Sequence, residues 1–386
     1  SPQERRPQMH LVIQKRNFLR SLARTHSVAD RKSSMPILSN ILLSTDGPKT
    51  LRLAATDLYL SVTSAASAEV KSNGTIALAA RTLFDIVKSL PEGEISVQVV
   101  GNHAAEIRSG KVRFKIPGMP GQDFPSLPNP GTAEFAPLEA EELGRLVTLT
   151  HYSMSTDETR PHLACSLFEG DGKSVRIVTT DGHRLSKAEY KLGETKKLLN
   201  FSMLVPSKGI AELRRLIEEA KADRAKTEDT PSTIDVATAG GSAFFRRDDA
   251  VLSVKLVDEQ FPPYNKVIPS SATRKIGVSR TLLSEALRRI ALVASDKSGS
   301  VRFNAEPGIL RITSENPDVG EGAEEIDVDF AGEPVEIGFN AKYVLDVLGA
   351  LTEDEVKLEL GGQLDPGVIK PVGPTDFVGV IMPMRI

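Results

Sequence analysis

The sequence predicts an α+β chain of three repeated domains, each with two helices and antiparallel strands, and three observations carry that expectation. Six kinds of block recur in one order at offsets of about 125 to 135 residues, the signature of a repeat architecture. Apolar faces of helical period occur twice in every repeat. Between them lie short β-branched or alternating runs bounded by Gly, Asp or Glu, the pattern of half-buried strands.

The clearest block is an apolar run closed by Thr or Ser and an acid: Leu53 to Asp57, Ile177 to Asp181 and Leu310 to Glu315. A second block, strand then helix then charged turn then strand, begins near Leu78, Leu204 and Ile337; a third closes each repeat with a short strand at Phe114 to Pro117, Leu252 to Lys255 and Phe377 to Pro383. The first helix of each repeat is expected at 14–29, 139–155 and 279–295. In the last of these, Leu282, Leu283, Ala286, Leu287, Ile290, Ala291 and Ala294 share a face. The second helices are expected at 81–90, 207–220 and 340–351, with Ser207 and Asn340 as N-caps. Pro/Gly-rich 117–131 and the segment 261–271 read as linkers, and 221–230 as a charged surface turn. The resulting domains are 9–130, 131–269 and 270–386, preceded by a tag or disordered extension at 1–8.

About 130 residues per repeat is the size of a single domain. No apolar run approaches the ~18 residues of a membrane helix, and no signal-peptide pattern opens the chain, so a soluble, cytoplasmic protein is expected. Cys165 is the only cysteine and the six histidines form no cluster at metal-ligand spacing, so neither a disulfide framework, a metal nor a cofactor is expected. A formal charge of −3 argues against an all-over basic surface, so charge has to be read element by element. The first helix carries Lys15, Arg16, Arg20 and Arg24 with no acid between them; the fifth carries Arg280, Arg288 and Arg289 against Glu285. The third departs, with Arg145 against Glu139, Glu141 and Glu142. If such faces line one surface, they form the basic track that sequence-independent phosphate contact requires.

Four motifs then carry a specific resemblance: Thr180-Asp181-Gly182-His183-Arg184-Leu185, Ser153 to Arg160, Lys255 to Pro262, and Met382-Pro383-Met384-Arg385-Ile386. In order and spacing they resemble the bacterial DNA polymerase III beta subunits, the replicative sliding clamps, from about Met9 to Ile386. The resemblance implies a non-catalytic, head-to-tail homodimeric ring of six similar domains. Each chain would form half of the ring, with helices inside and sheets outside, around double-stranded DNA. It implies as partners the DNA polymerase III alpha subunit, the clamp loader, and other polymerases and repair proteins carrying short Gln-Leu/Phe motifs. Helix geometry agrees with a dimer: six inner helices at roughly 9 to 10 Å spacing leave a hole only about 8 Å wide, whereas twelve leave about 25 Å. That suffices for a duplex of about 20 Å whose grooves need not be entered.

The resemblance assigns residues as well. Leu163, Thr180, Gly182, His183, Arg184, Leu185, Pro262, Val267, Leu364, Pro366 and Val380, Ile381, Met382, Pro383, Met384, Arg385 and Ile386 match the walls of a partner-peptide pocket. Met382 and Met384 suit such a pocket, since flexible thioethers repack around different apolar side chains, and Pro383 interrupts strand pairing. At the dimer seam, Phe114 would face Leu292 and Val293, with Arg108, Lys111 and Arg113 opposite Glu321, Glu324 and Glu325. Arg20, Arg24 and Lys32 are expected to face DNA; Lys32 stands where related clamps carry Arg, and Asp157 stands where a neutral residue is common. Arg280, Arg288 and Arg289 are expected there from helix position only.

Two other readings remain open. His183 beside Asp181 could act as a general base in a hydrolase, although Asp181-Gly182 also reads as a β-turn and no nucleophile motif or phosphate loop accompanies it. A repeat-built scaffold with no nucleic-acid role is the other.

Overall fold

The structure, a computed structural model, describes residues 8–193, 200–224 and 231–386. Most of the 1–8 extension and the 225–230 part of the charged turn lie outside the described residues. Six α-helices are present among those described: α1 (Lys15–Thr25), α2 (Ala80–Ser89), α3 (Ala140–Thr150), α4 (Ser207–Arg224), α5 (Arg280–Ile290) and α6 (Ala341–Ala350). Each forms for the reason its spacing predicts. Phe18, Ser21, Leu22 and Thr25 are the buried stripe of α1, Leu283, Ala286, Leu287 and Ile290 that of α5, and Val344, Val347 and Leu348 that of α6.

The first helix of every repeat ends in a 3-10 turn, at His26–Val28, His151–Ser153 and Ala291–Val293. The expected single long helices are therefore shorter α-helices with tightened ends. Asn340 caps α6 by accepting the Lys342 and Tyr343 amides at 2.9 and 3.4 Å, whereas Ser207 lies inside α4 rather than capping it. Leu282 departs from the expected apolar face: it is 49% exposed, beside rather than on the buried stripe.

The contacts divide the chain into two compact units, 1–141 with 211–256 and 142–210 with 257–386. The first unit holds a thirteen-stranded sheet. Its order is Ala136–Glu139, Thr233–Ala239, Ser242–Arg247, Ala250–Lys255, Leu60–Ser67, Thr50–Thr56, Asn40–Asp46, Thr75–Ala79, Val112–Pro120, Ala104–Ser109, Glu94–Val100, His10–Gln14 and Glu69–Ser72. Strands of repeats one and two join through the register Leu252 to Val62 and Ser253 to Ser61. The second unit has an eight-stranded sheet of Asn200–Pro206, Cys165–Asp171, Ser174–Thr180, Arg184–Lys191, Phe377–Ile381, Gly367–Pro371, Glu355–Leu360 and Arg274–Ser279. It also has a four-stranded sheet of Gly320–Asp327, Ile309–Asn316, Ser300–Glu306 and Val335–Asn340. In the eight-stranded sheet repeats two and three join through Arg184 to Ile381 and Leu185 to Val380. All of these ladders are antiparallel, so hairpins and helices of modest length suffice to connect them.

The repeated Thr-Asp block builds the same turn twice. Thr56 donates its hydroxyl to the Leu60 carbonyl (2.7 Å), while Asp57 accepts the Tyr59 and Leu60 amides (2.9 and 2.6 Å). Thr180 and Asp181 repeat this with the Arg184 carbonyl (2.7 Å) and the His183 and Arg184 amides (2.8 and 3.1 Å). The residue after each Asp has positive φ, +78° at Leu58 and +91° at Gly182. Only the glycine adopts this without steric cost.

Candidate functional site

The Thr180 to Leu185 turn sits at one end of the eight-stranded sheet. Beneath it Cys165, Leu167, Val178, Leu185, Leu204, Tyr264, Val368 and Val380 form one buried cluster, with Val257, Phe261, Ile268 and Val378 packed against it. Val380 and Ile381 are each 1% exposed, so they and Leu185 are floor rather than wall. Leu163 and Thr180 are likewise buried. The accessible surface comes from Gly182, His183, Val267 and Met382, with Pro262, Pro366, Pro383 and Met384 half-buried. Met382 is placed by its amide on the His183 carbonyl (2.9 Å), which brings the terminal segment against the turn. Leu364 is 76% exposed on the turn whose Asp365 carboxylate accepts the Gly362 amide (2.7 Å).

The last residues do not all stay at this turn. Met384 bridges to Gly338, its amide donating to the Gly338 carbonyl at 2.8 Å. A Cβ at Gly338 would meet the Met384 carbonyl at 3.0 Å and Ile386 at 3.7 Å, so that glycine lets the tail lie against the strand. Arg385 and Ile386 are exposed. Phe377–Ile381 is thus a core strand, and only Met382 onward forms a lip.

Arg184 is a correction to the wall assignment, because its side chain is only 7% exposed. It is held by Asp181 at 3.2 Å and by Asp346 of α6 at 2.6 Å, with its guanidinium 4.2 Å from the Tyr343 ring centroid and 5.9 Å from that of Tyr152. Burial pushes the Tyr152 phenol above its ordinary pKa, so this neighbour stays neutral. Arg184 therefore fixes the turn to α6. Asp346, Tyr343 and Tyr152 carry no local motif, whereas Phe261 and Tyr264 had one available signal, the Phe-Pro pair of 261–262 repeating that of 124–125.

The same geometry removes the hydrolase reading. Both carboxylate oxygens of Asp181 are engaged by the His183 and Arg184 amides and by the Arg184 guanidinium, so Asp181 orients the backbone and not an imidazole. Among the described residues no group of acids, His and Cys could hold a metal.

Two surfaces were expected at a seam. In the first unit, the strand Val112–Pro120 pairs with Ala104–Ser109 through Pro117 and with Thr75–Ala79 only at Gly118 to Pro120. Among the described residues this leaves one edge of Val112 to Ile116 unpaired, with Phe114 36% exposed on it. Arg108 and Arg113 both engage Glu106, the latter at 2.8 Å, and hold its carboxyl below the usual range; Lys111 is exposed. In the second unit, Gly320–Asp327 pairs on one side only among the described residues, and Leu292 nearby in sequence to α5 is 78% exposed while Val293 is half-buried. Of the acids there, Glu324 is bound by Arg289 (2.6 Å) and Glu325 lies 3.7 Å from Arg311, while Glu321 lines a polar cleft with Arg302 and Arg311.

The DNA-facing set is the most altered. Arg24 is 6% exposed, with Glu219 at 2.6 Å and Asp249 at 2.8 Å, and Arg20 lies within 3.5 Å of Glu219, Asp223 and Asp248. These acids lie 195 or more residues away in sequence, which is why α1 reads as purely basic on its own. Arg289 is taken up by Glu324, and Arg280 donates to the Glu353 carbonyl at 2.7 Å. Lys32 and Arg288 are exposed. Asp157 is bound by Thr159 and Arg160, which lower its pKa.

Comparison with known proteins bears on the whole chain. Residues 9–128, 137–263 and 265–385 match, respectively, the N-terminal, central and C-terminal domains of the DNA polymerase III beta subunit. The beta sliding clamp of Caulobacter vibrioides is 35% identical over 98% of this chain and 100% of its own length, and that of Escherichia coli K12 34% identical over the same shares. Among solved structures, a Caulobacter crescentus beta sliding clamp superposes with a TM-score of 0.90 at 34% identity, covering 99% of this chain and 100% of that one. The sliding clamp of Bartonella birtlesii bound to griselimycin gives 0.88 at 32% identity, covering 98% and 100%. With every repeat matched in order and the sheets and turns already accounted for, this chain belongs to the DNA polymerase III beta subunit family, the beta sliding clamps.

Proposed function

We propose that two copies of this chain close head to tail around duplex DNA in the cytoplasm and tether polymerases to it, each copy offering one groove beside the Thr180 to Leu185 turn. The observation that carries this reading is the match to beta sliding clamps across all three repeats, at 35% identity over 98% of the chain for the Caulobacter vibrioides relative. The domains are 9–130, 131–269 and 270–386. The groove takes the short Gln-Leu/Phe segments of the polymerase III alpha subunit, the clamp loader and repair proteins. Its apolar floor and the Met382 lip suit an extended peptide with one large apolar anchor. The seam forms where the unpaired edge at Val112 to Ile116 meets the unpaired edge of Gly320–Asp327 of a second copy, by strand addition. Phe114 and Leu292 would then supply the apolar centre, and the rim charges Arg108, Lys111, Arg113, Glu321, Glu324 and Glu325 would select register.

The test is retention on DNA. The protein is loaded onto nicked circular DNA with a clamp loader, and the circle is then linearised at moderate salt. Retention on the circle with release from the linear ends is the outcome expected of a topological link. Equal loss from both forms means ordinary electrostatic binding, and no loading at all favours a scaffold without a nucleic-acid role.

A further inference from the structure

The arginines that α1 offers to phosphate are already occupied by acids from elsewhere in the first unit. Three guanidiniums, Arg20, Arg24 and Arg247, interlock with four carboxylates: Glu219 and Asp223 of α4, and Asp248 and Asp249 of the turn before Ala250–Lys255. Arg24 and Arg247 are 6% and 9% exposed, whereas Arg20 is 53% exposed and keeps three carboxylates at 3.4 to 3.5 Å. The Arg24 Nε–H is shared between both Glu219 oxygens, at 2.8 and 3.1 Å, a charge-assisted contact. A cleft of about 730 Å³ between α1 and α4, lined by Arg20 and Arg24, opens the network to solvent ions.

We propose that Glu219, Asp223, Asp248 and Asp249 mask the α1 arginines and so set how weakly this clamp grips DNA. The inference rests on the reading that the chain encircles duplex DNA. A phosphate reaching Arg20 must displace Asp223 and Asp248, which then keep Arg247 (and, for Asp248, Arg24) as counter-charges but lose Arg20, and it must sit beside their negative charge, so the exchange yields little net gain. Arg24, 6% exposed and bound by Glu219 and Asp249, offers far less surface to phosphate than Arg20 does. A sliding ring benefits, because each phosphate held firmly would slow its movement along the duplex.

The test is a charge cycle in the full-length protein, with binding of a labelled short duplex measured across a series of salt concentrations. Each phosphate contact steepens the dependence of log K on log salt by about 0.9. Arg20→Ala alone is expected to leave slope and affinity nearly unchanged. Asp223→Asn with Asp248→Asn is expected to raise the slope by about 0.9, which amounts to binding about eightfold tighter at tenfold lower salt. Adding Arg20→Ala to that pair should abolish the gain.

The proposal is overturned if Arg20→Ala alone lowers the slope by that amount, since Arg20 would then already hold phosphate. It is also overturned if the double substitution changes nothing, or if its gain survives Arg20→Ala and so reflects net charge alone. Retention of the wild-type protein on nicked circles, measured alongside, separates these failures from failure of the clamp reading. Loss from circles as fast as from linear DNA removes both.

Discussion

Arg184→Ala tests whether a buried ion pair fixes the Thr180 to Leu185 turn to α6. The substitution strips the cation from Asp181 and Asp346, whose side chains are 14% and 27% exposed. Removing one partner of a fully buried pair costs about 3–5 kcal/mol. Partial exposure of Asp346, and the Lys342 ammonium 3.6 Å from it, reduce that to about 2–3 kcal/mol, with up to about 1 kcal/mol more from the lost stacking on Tyr343. A double-mutant cycle with Asp346→Ala isolates the pair, and its coupling is expected at about 1.5–2.5 kcal/mol. The chain supplies a convenient probe. It has no Trp and five Tyr, of which Tyr152, Tyr190, Tyr264 and Tyr343 lie in the second unit and only Tyr59 in the first, so tyrosine emission during urea unfolding reads the second unit. Because Arg184 is buried, the coupling should persist at high salt, unlike that of an exposed pair. A coupling under about 0.5 kcal/mol, or one that vanishes with salt, would refute the reasoning.

Further outcomes follow from other parts of the structure. Phe114→Ala with Leu292→Ala should weaken self-association at least about tenfold in sedimentation equilibrium with unfolding unchanged, since truncating two central anchors removes more than about 1 kcal/mol each. A wild-type dimer affinity would sink the proposed seam. Deleting Met384 to Ile386 costs one backbone hydrogen bond, about 1 kcal/mol, and should weaken peptide binding while leaving assembly intact; loss of assembly would mean the tail is structural. The Asp171 carboxyl, held at about 2 by the Lys173 and Ser174 amides, is lowered on folding, so its contribution is complete above its ordinary value of 3.8 and is lost as pH falls toward 2. Asp171→Asn should flatten that limb of the acid unfolding curve, and an unaltered limb would contradict the assignment. The Cys165 thiol is pushed up to about 12 by burial and by Glu259, so a thiol reagent at pH 8 should label it only as fast as the second unit opens. Labelling at the rate of a free thiol would show the cluster beneath the turn to be open.

What the sequence discloses about this protein tracks the sequence distance over which each feature is determined. The helical stripes and the Thr-Asp turns are set within a few residues, and the turns at Asp57 and Asp181 follow the repeat down to their individual hydrogen bonds. The third copy of that block shows where pattern matching overreaches. Glu315 stands at the place of the two aspartates in the repeat, but the acceptor is Asn316, which takes the Asp318 amide at 3.0 Å. A glutamate is one methylene too long to fold onto the amide two residues ahead, so the role passes to the next short side chain. Electrostatics is less legible still, because a charge acquires its meaning from partners brought in by the fold. Arg184 stands in a recognisable motif, yet its counter-ion Asp346 lies 162 residues on, and the residue offered as wall proves to be a buried tie. Arg24 looks like a phosphate contact beside Arg20 and Arg16, yet Glu219 closes over it from 195 residues away. A helix of one charge sign in this chain therefore establishes only that its partners lie elsewhere, and whether those partners are nucleic acid or carboxylates is decided by the neighbouring α4.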